Sequence, residues 1–186
     1  MPIKKTTKEE IIAICTQVFR KQGYYRTTLD QLAKANGLTK GVFYHHFKNK
    51  EAIMQEVLKA SYSYFKAKVF SIAYQDQVPA HDRMQQMIEA SNRVFSKDCQ
   101  GCIFANTALE ITHIEEAFAE FTKVFFVDWE RAFVYILENE YQPNKAQQLA
   151  HQIIADIEGS LILMQVHKNK EFLTKAFERT MRHLGS

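Results

Sequence analysis

TTLDQLAKANGLTKGVFYHHFKNKE, the stretch from Thr27 to Glu51, decides how the whole chain is read. Thr28 is a good N-cap, and Gln31 three residues later completes a capping box, so a short helix starts here. Leu29, Leu32 and Ala33 give that helix an apolar face. Asn36-Gly37 ends it, because glycine accepts the left-handed conformation at a helix terminus. Thr39 caps a second short helix that runs to about His46. Two short helices joined by a tight glycine-containing turn make a helix-turn-helix, whose second helix enters the DNA major groove.

The faces of the second helix can be sorted by spacing. Leu38, Phe43 and Phe47 face its neighbours, with Val42 at the edge. Lys40 and Tyr44 lie four apart, as do Gly41 and His45, so these four share the other face. Gly41 lets backbone come close to a base edge, Lys40 reaches phosphate or guanine, and Tyr44 and His45 suit phosphate oxygens or a thymine methyl. Lys48 and Lys50 open the next helix, whose positive N-terminus suits a phosphate. With the capping residues, the candidate DNA-facing set is Thr28, Thr39, Lys40, Gly41, Tyr44, His45, Lys48 and Lys50. The competing reading is an ordinary helical hairpin with a solvated basic face.

The run GLTKGVFYHHFKNKE, behind a short helix opened by threonine, resembles the signature of the TetR/AcrR family of bacterial transcriptional regulators. Gly37, Lys40, Gly41, Tyr44, Phe47, Lys50 and Glu51 carry the resemblance, which spans roughly residues 7 to 55. It implies a DNA-reading N-terminus, a divergent ligand domain behind it, and a dimer.

Charge is distributed as that reading requires. Residues 1–50 carry ten Lys or Arg against Glu9, Glu10 and Asp30, a net +7, whereas residues 51–186 carry a net −4. A basic module joined to a mildly acidic one is the footprint of DNA binding at one end. The polar start MPIKKTTKEE lacks an apolar signal region, no run of about twenty apolar residues suggests a membrane span, and three cysteines fit a reducing compartment, so a cytoplasmic protein is expected.

Elsewhere the pattern is helical throughout. Ile11, Ile12, Cys15, Val18 and Phe19 predict a first helix over residues 7–22, with Lys4, Lys5 and Lys8 near phosphates and Cys15 a small core residue. A long helix is expected from Lys48 to Tyr74 as the mechanical connection to the rest of the chain. Further helices are expected over residues 80–97, 102–112, 114–139, 145–167 and 169–184, with Pro143 as a break. The fold is therefore all-α with about nine helices: an N-terminal three-helix helix-turn-helix DNA-binding module (residues 1–50) and a larger helical ligand-binding and dimerisation domain (residues 51–186).

In that larger domain, Phe65, Met87, Phe104, Phe125, Trp129 and Met164 are candidates to line a ligand cavity, with Thr107, Glu110 and His113 as polar anchors. Any one of them serves equally well as ordinary core. Leu149, Ile153, Ile157 and Leu161 on one helix, and Phe172, Leu173 and Phe177 on the next, form stripes suited to a two-fold four-helix dimer interface. The first of these helices also carries Ala150, Ile154, Ile162, Leu163 and Val166, a surplus that one packed side does not explain.

Cys99-Gln-Gly-Cys102 admits a redox or electrophile sensor, or simply a turn shaped by Gly101 before a buried Cys102. No second ligand pair accompanies it for a metal, no cofactor motif is present, and the histidines have no nucleophile partner at an interpretable spacing, so no enzyme is expected. The sequence thus points to a homodimeric repressor, released from a palindromic operator on double-stranded DNA by a small lipophilic inducer. A thiol sensor using Cys99 and Cys102, or a non-specific architectural DNA binder, are the alternatives.

Overall fold

The computed structural model describes residues 7–97, 100–111 and 116–184, and among these every regular element is helical. The α-helices are α1 (Lys8–Gln22), α2 (Leu29–Ala35), α3 (Lys40–His46), α4 (Lys50–Lys68), α5 (Ala80–Phe95), α6 (Ile103–Ile111), α7 (Glu116–Leu137), α8 (Pro143–His167) and α9 (Glu171–Met181), with a 3-10 turn over Phe70–Tyr74. The all-α expectation holds. Lys4, Lys5, Cys99 and His113 lie outside the described residues.

The chain divides into two compact units, and the division does not follow chain order. Residues up to Tyr62 join Ile103–Thr122 in the first unit, and Ser63–Cys102 join the residues from Lys123 onward in the second. The expected boundary at residue 50 thus differs from the compact units, chiefly because α6 is counted with the N-terminal helices.

In the first unit, caps fix where helices begin. Thr7 accepts from the Glu10 amide while the Glu10 carboxylate accepts from the Thr7 amide, and Thr28 and Gln31 repeat the arrangement for α2. Each such box satisfies two amides that the helix itself leaves open. Ile11, Cys15 and Phe19 of α1, Leu32 of α2, Phe43 of α3 and Ile53, Val57 and Leu58 of α4 are all but fully buried. Cys15 is core, as expected, and burial pushes its thiol up to about 11 despite a hydrogen bond from Asn36.

The long helix expected over residues 48–74 is shorter. Asn49 caps it by accepting the Ala52 amide at 2.7 Å, so the helix starts at Lys50 and Lys48 lies outside it. At the other end the chain leaves α-geometry at Val69 and tightens into the 3-10 turn, burying Phe70 and Ala73. The buried Arg83 guanidinium donates to the Ala73 carbonyl at 2.7 Å, holding the turn from α5. No glycine or proline marks this end of α4. Pro143, expected as a break, is instead the first residue of α8, where its missing N–H costs nothing.

The second unit is packed around aromatic rings. Phe65 meets Phe70, Phe95 and Phe125 at centroid distances of 5.8, 5.5 and 5.1 Å, and Trp129 meets Phe95, Phe125 and Phe133 at 6.0, 5.6 and 6.0 Å. Edge-on and tilted contacts of this kind add to the hydrophobic gain of burying the rings. Helices α8 and α9 pack closely on each other, and the Arg179 guanidinium clamps Asp156 with two bonds of 2.8 and 2.7 Å.

Candidate DNA-binding surface

The reading helix is held from beneath and left open above. Thr39 accepts the Val42 amide, and Gly37 turns the chain before it at φ 64°, a conformation that favours glycine. Phe43 and Phe47 are buried, their centroids 5.4 Å apart, and fasten α3 to the unit. Lys40, Gly41, Val42, Tyr44, His45 and His46 are exposed. A Cβ added at Gly41 would meet nothing, so backbone is bare there for close approach. The expected division of faces is observed, with one change. Val42, placed at the edge of the packed face, is 47% exposed, an apolar side chain on the open side of the helix.

Lys40 pairs with Asp30 of α2 at 2.8 Å, which raises its pKa, chiefly through the hydrogen bond. Both partners are solvated, so little is lost when a phosphate replaces the carboxylate. Thr28 is exposed, with its oxygen and amide both engaged with Gln31. Lys48 is exposed.

Lys50 is placed differently from the phosphate contact expected of it. Its ammonium donates to the Tyr24 carbonyl at 2.8 Å and lies 4.2 Å from the centroid of the Tyr24 ring. Partial burial lowers its pKa, and Glu110 opposes the shift. Glu110, expected as a ligand anchor, belongs to the same cluster. Its two carboxylate oxygens accept the amides of Tyr24 and Tyr25, each at 2.8 Å. Gly23 makes room for it: its φ is 79°, and a Cβ there would stand 2.8 Å from the Glu110 Oε2. Thr27 closes the same turn by donating its hydroxyl to the Gly23 carbonyl at 2.6 Å. Glu110 and Lys50 thus lock the turn between α1 and α2, which sets the angle from which α2 and α3 are presented. A carboxylate that accepts backbone amides 85 and 86 residues away leaves no local signal.

The other ligand candidates separate between the units. Phe104 and Thr107 are buried in the first, and the Thr107 hydroxyl is spent on the Ile103 carbonyl at 2.7 Å. Phe65, Met87, Phe125, Trp129 and Met164 are buried in the second. Among the described residues nothing accepts from the buried Trp129 indole N–H.

The candidate interface stripe is also placed differently. Leu149, Ile153, Ile157, Leu161, Leu173 and Phe177 are buried within one chain, where α8 packs on α9, and Phe172 is half-buried and stacked on His167. The surplus on α8 is divided: Ala150 is fully buried and Ile154 half-buried, whereas Ile162, Leu163 and Val166 are 53%, 43% and 68% exposed, and Gly159 beside them is open. Cys102 is buried and hydrogen-bonded to Glu158, and a carboxylate neighbour disfavours the thiolate that reactivity needs.

Comparison with known proteins agrees with this geometry. Residues 11–57 match the family model described as bacterial regulatory proteins of the tetR family, and residues 80–179, more than half of the chain, match that of the LmrA/YxaF-like C-terminal domain of transcriptional regulators. The HTH-type transcriptional repressor DhaR of Mycobacterium sp. (strain GP1) is 27% identical over 181 residues, covering 92% of this chain and 90% of that protein. The HTH-type transcriptional regulator LmrA of Bacillus subtilis (strain 168) is 27% identical over 169 residues, covering 88% of each. In fold, a TetR transcriptional regulator from Legionella pneumophila superposes with a TM-score of 0.87 over 100% of both chains at 22% identity. The chain belongs to the TetR family of bacterial regulatory proteins, in the group with an LmrA/YxaF-like C-terminal domain, and is a DNA-binding transcriptional regulator.

Proposed function

We propose that this protein is a cytoplasmic, dimeric repressor that reads a palindromic operator through α3 and is released by a small lipophilic inducer held in the second unit. The carrying observation is the outer face of α3, where Lys40, Gly41, Val42, Tyr44 and His45 stand exposed over a buried Phe43 and Phe47. Repression is supported by the similarity to DhaR, which is a transcriptional repressor. Dimerisation is supported by Ile162, Leu163 and Val166, which give α8 an apolar strip left exposed among the described residues. Two copies joined there would present two reading heads to half-sites one helical turn apart, roughly 34–36 Å. An inducer is supported by the aromatic residues gathered in the second unit and by the buried Trp129 N–H, which among the described residues has no acceptor and offers a donor to a ligand. A thiol sensor has less support, given the burial of Cys102 beside a carboxylate.

Selection of bound sequences from randomised duplex DNA tests the proposal. A two-fold symmetric site is expected, and Tyr44→Ala should weaken binding to it by roughly 1–3 kcal/mol. Val166→Glu should sediment as a monomer, with helicity kept and operator binding weakened, since an unpaired charge is strongly disfavoured in an interface. Selected DNA without symmetry, or a Tyr44→Ala protein that binds like the parent, would sink it.

A further inference from the structure

A groove of about 540 Å³ lies along the side of α7 opposite its buried aromatic residues. Val127, Glu130, Arg131, Val134 and Glu138 of α7 line it together with the first turn of α8, Gln147, Tyr74 of the 3-10 turn and Tyr135, whose ring already has the Arg83 guanidinium 5.8 Å from its centroid. All of these belong to the second unit. The volume falls within the range of small-molecule sites. We propose that this groove binds a small organic cation bearing a quaternary or tertiary ammonium group, at a site separate from that of the inducer.

Three observations carry it. First, Tyr74 and Tyr135 stand with ring centroids 4.8 Å apart, and Tyr74 remains 47% exposed. Aromatic faces attract cations through the ring quadrupole. Second, the charges around the rings are unequally matched. Arg131 is committed to Asp128 at 3.3 Å, Arg83 lies 3.4 Å from Asp76, and Glu130 accepts from Gln147 at 3.1 Å with His151 2.9 Å away. Glu138 has no ion pair among the described residues, so the groove keeps an unmatched negative charge. Third, both phenols are held neutral: burial, then Asp128, pushes Tyr74 up, and the hydrogen bond to Asp76 pushes Tyr135 up. An anion entering here would meet Glu130 and Glu138 with the nearby guanidiniums already engaged. A neutral apolar ligand would desolvate Glu138 with nothing in return. The site does not depend on DNA being bound.

Choline and its uncharged isostere 3,3-dimethylbutan-1-ol, titrated into the intact protein by calorimetry and two-dimensional NMR, test this. Choline should bind, the alcohol should bind far more weakly, and shifts should centre on Tyr74, Val134, Tyr135 and Gln147. Tyr74→Ala and Glu138→Gln should each weaken choline roughly three- to tenfold, while Tyr74→Phe should bind like the parent. These side chains are on the surface, and unchanged circular dichroism shows that the variants stay folded. Phosphatidylcholine vesicles, which present the same headgroup on a bilayer, should not displace choline. No choline binding, equal binding of the alcohol, shifts centred elsewhere, unaltered binding by both weakening variants or displacement by vesicles would overturn the assignment.

Discussion

Glu110 and Glu158 are both carboxylates drawn away from water, one in each unit, and the chain treats them in opposite ways. Glu110 has each oxygen filled by a backbone amide at 2.8 Å, and Lys50 stands near enough to be affected by its charge. Glu158 is hydrogen-bonded by the Cys102 thiol, and among the described residues no donor meets its buried Oε1. Donors in place make the charged form of Glu110 useful as a fastener. Burial without donors pushes the Glu158 carboxyl up to about 7. The same side chain is therefore a structural bolt in the DNA-reading unit and a proton-sensitive spot in the other.

The largest effect should come from pulling the bolt. Glu110→Ala leaves two amides without acceptors and should cost roughly 2–4 kcal/mol in chemical denaturation, with operator affinity falling too. A loss well under 1 kcal/mol would mean that water replaces the carboxylate freely, and the contrast between the two residues would collapse. The next effect has the opposite sign. The folded-state pKa of Glu158, about 7, lies above its ordinary 4.5, so folding favours its protonated form. That contribution is complete below pH 4.5 and is lost as pH rises through 7. Glu158→Gln should therefore be more stable than the parent at pH 8, by on the order of 2 kcal/mol, and its stability should change less between pH 4.5 and 8. Equal pH profiles for the two proteins would place the titration elsewhere. The smallest effect separates two roles for Lys50. As part of the lock, Lys50→Ala should cost about 1 kcal/mol of stability and leave the salt dependence of operator binding unchanged. A salt slope flatter by about one would restore the phosphate contact.

Features legible in the sequence are those whose partners lie within a few residues. The Thr28–Gln31 box, the Thr39 cap, the Gly37 turn and the buried Phe43 and Phe47 are each set by spacing of ten residues or less, and they specify the fold and the reading face directly. What is not legible depends on distant partners. Glu110 reads as a pocket residue because its amides lie across the chain, just beyond the last turn of α1. The end of α4 has no breaker residue, and the 3-10 turn that follows it is held by Arg83 from ten residues away. On α8 the periodicity exposes two apolar sides but does not say which one α9 covers. The structure buries Ile157 and Leu161 there and leaves Ile162 and Val166 outside.

The Glu110 lock also imposes an order of events during synthesis. The first unit is assembled from residues up to Tyr62 and Ile103–Thr122, with residues 63–102 made in between. At about 5–20 residues per second, those forty intervening residues take ~2–8 s to polymerise. Throughout that interval α1, α2 and α3 can exist on the ribosome while the amides of Tyr24 and Tyr25 still face water. A nascent chain therefore acquires its finished reading head only after α6 has emerged. A message truncated before codon 110 would encode every candidate DNA-facing residue and still lack the carboxylate that holds the turn between α1 and α2.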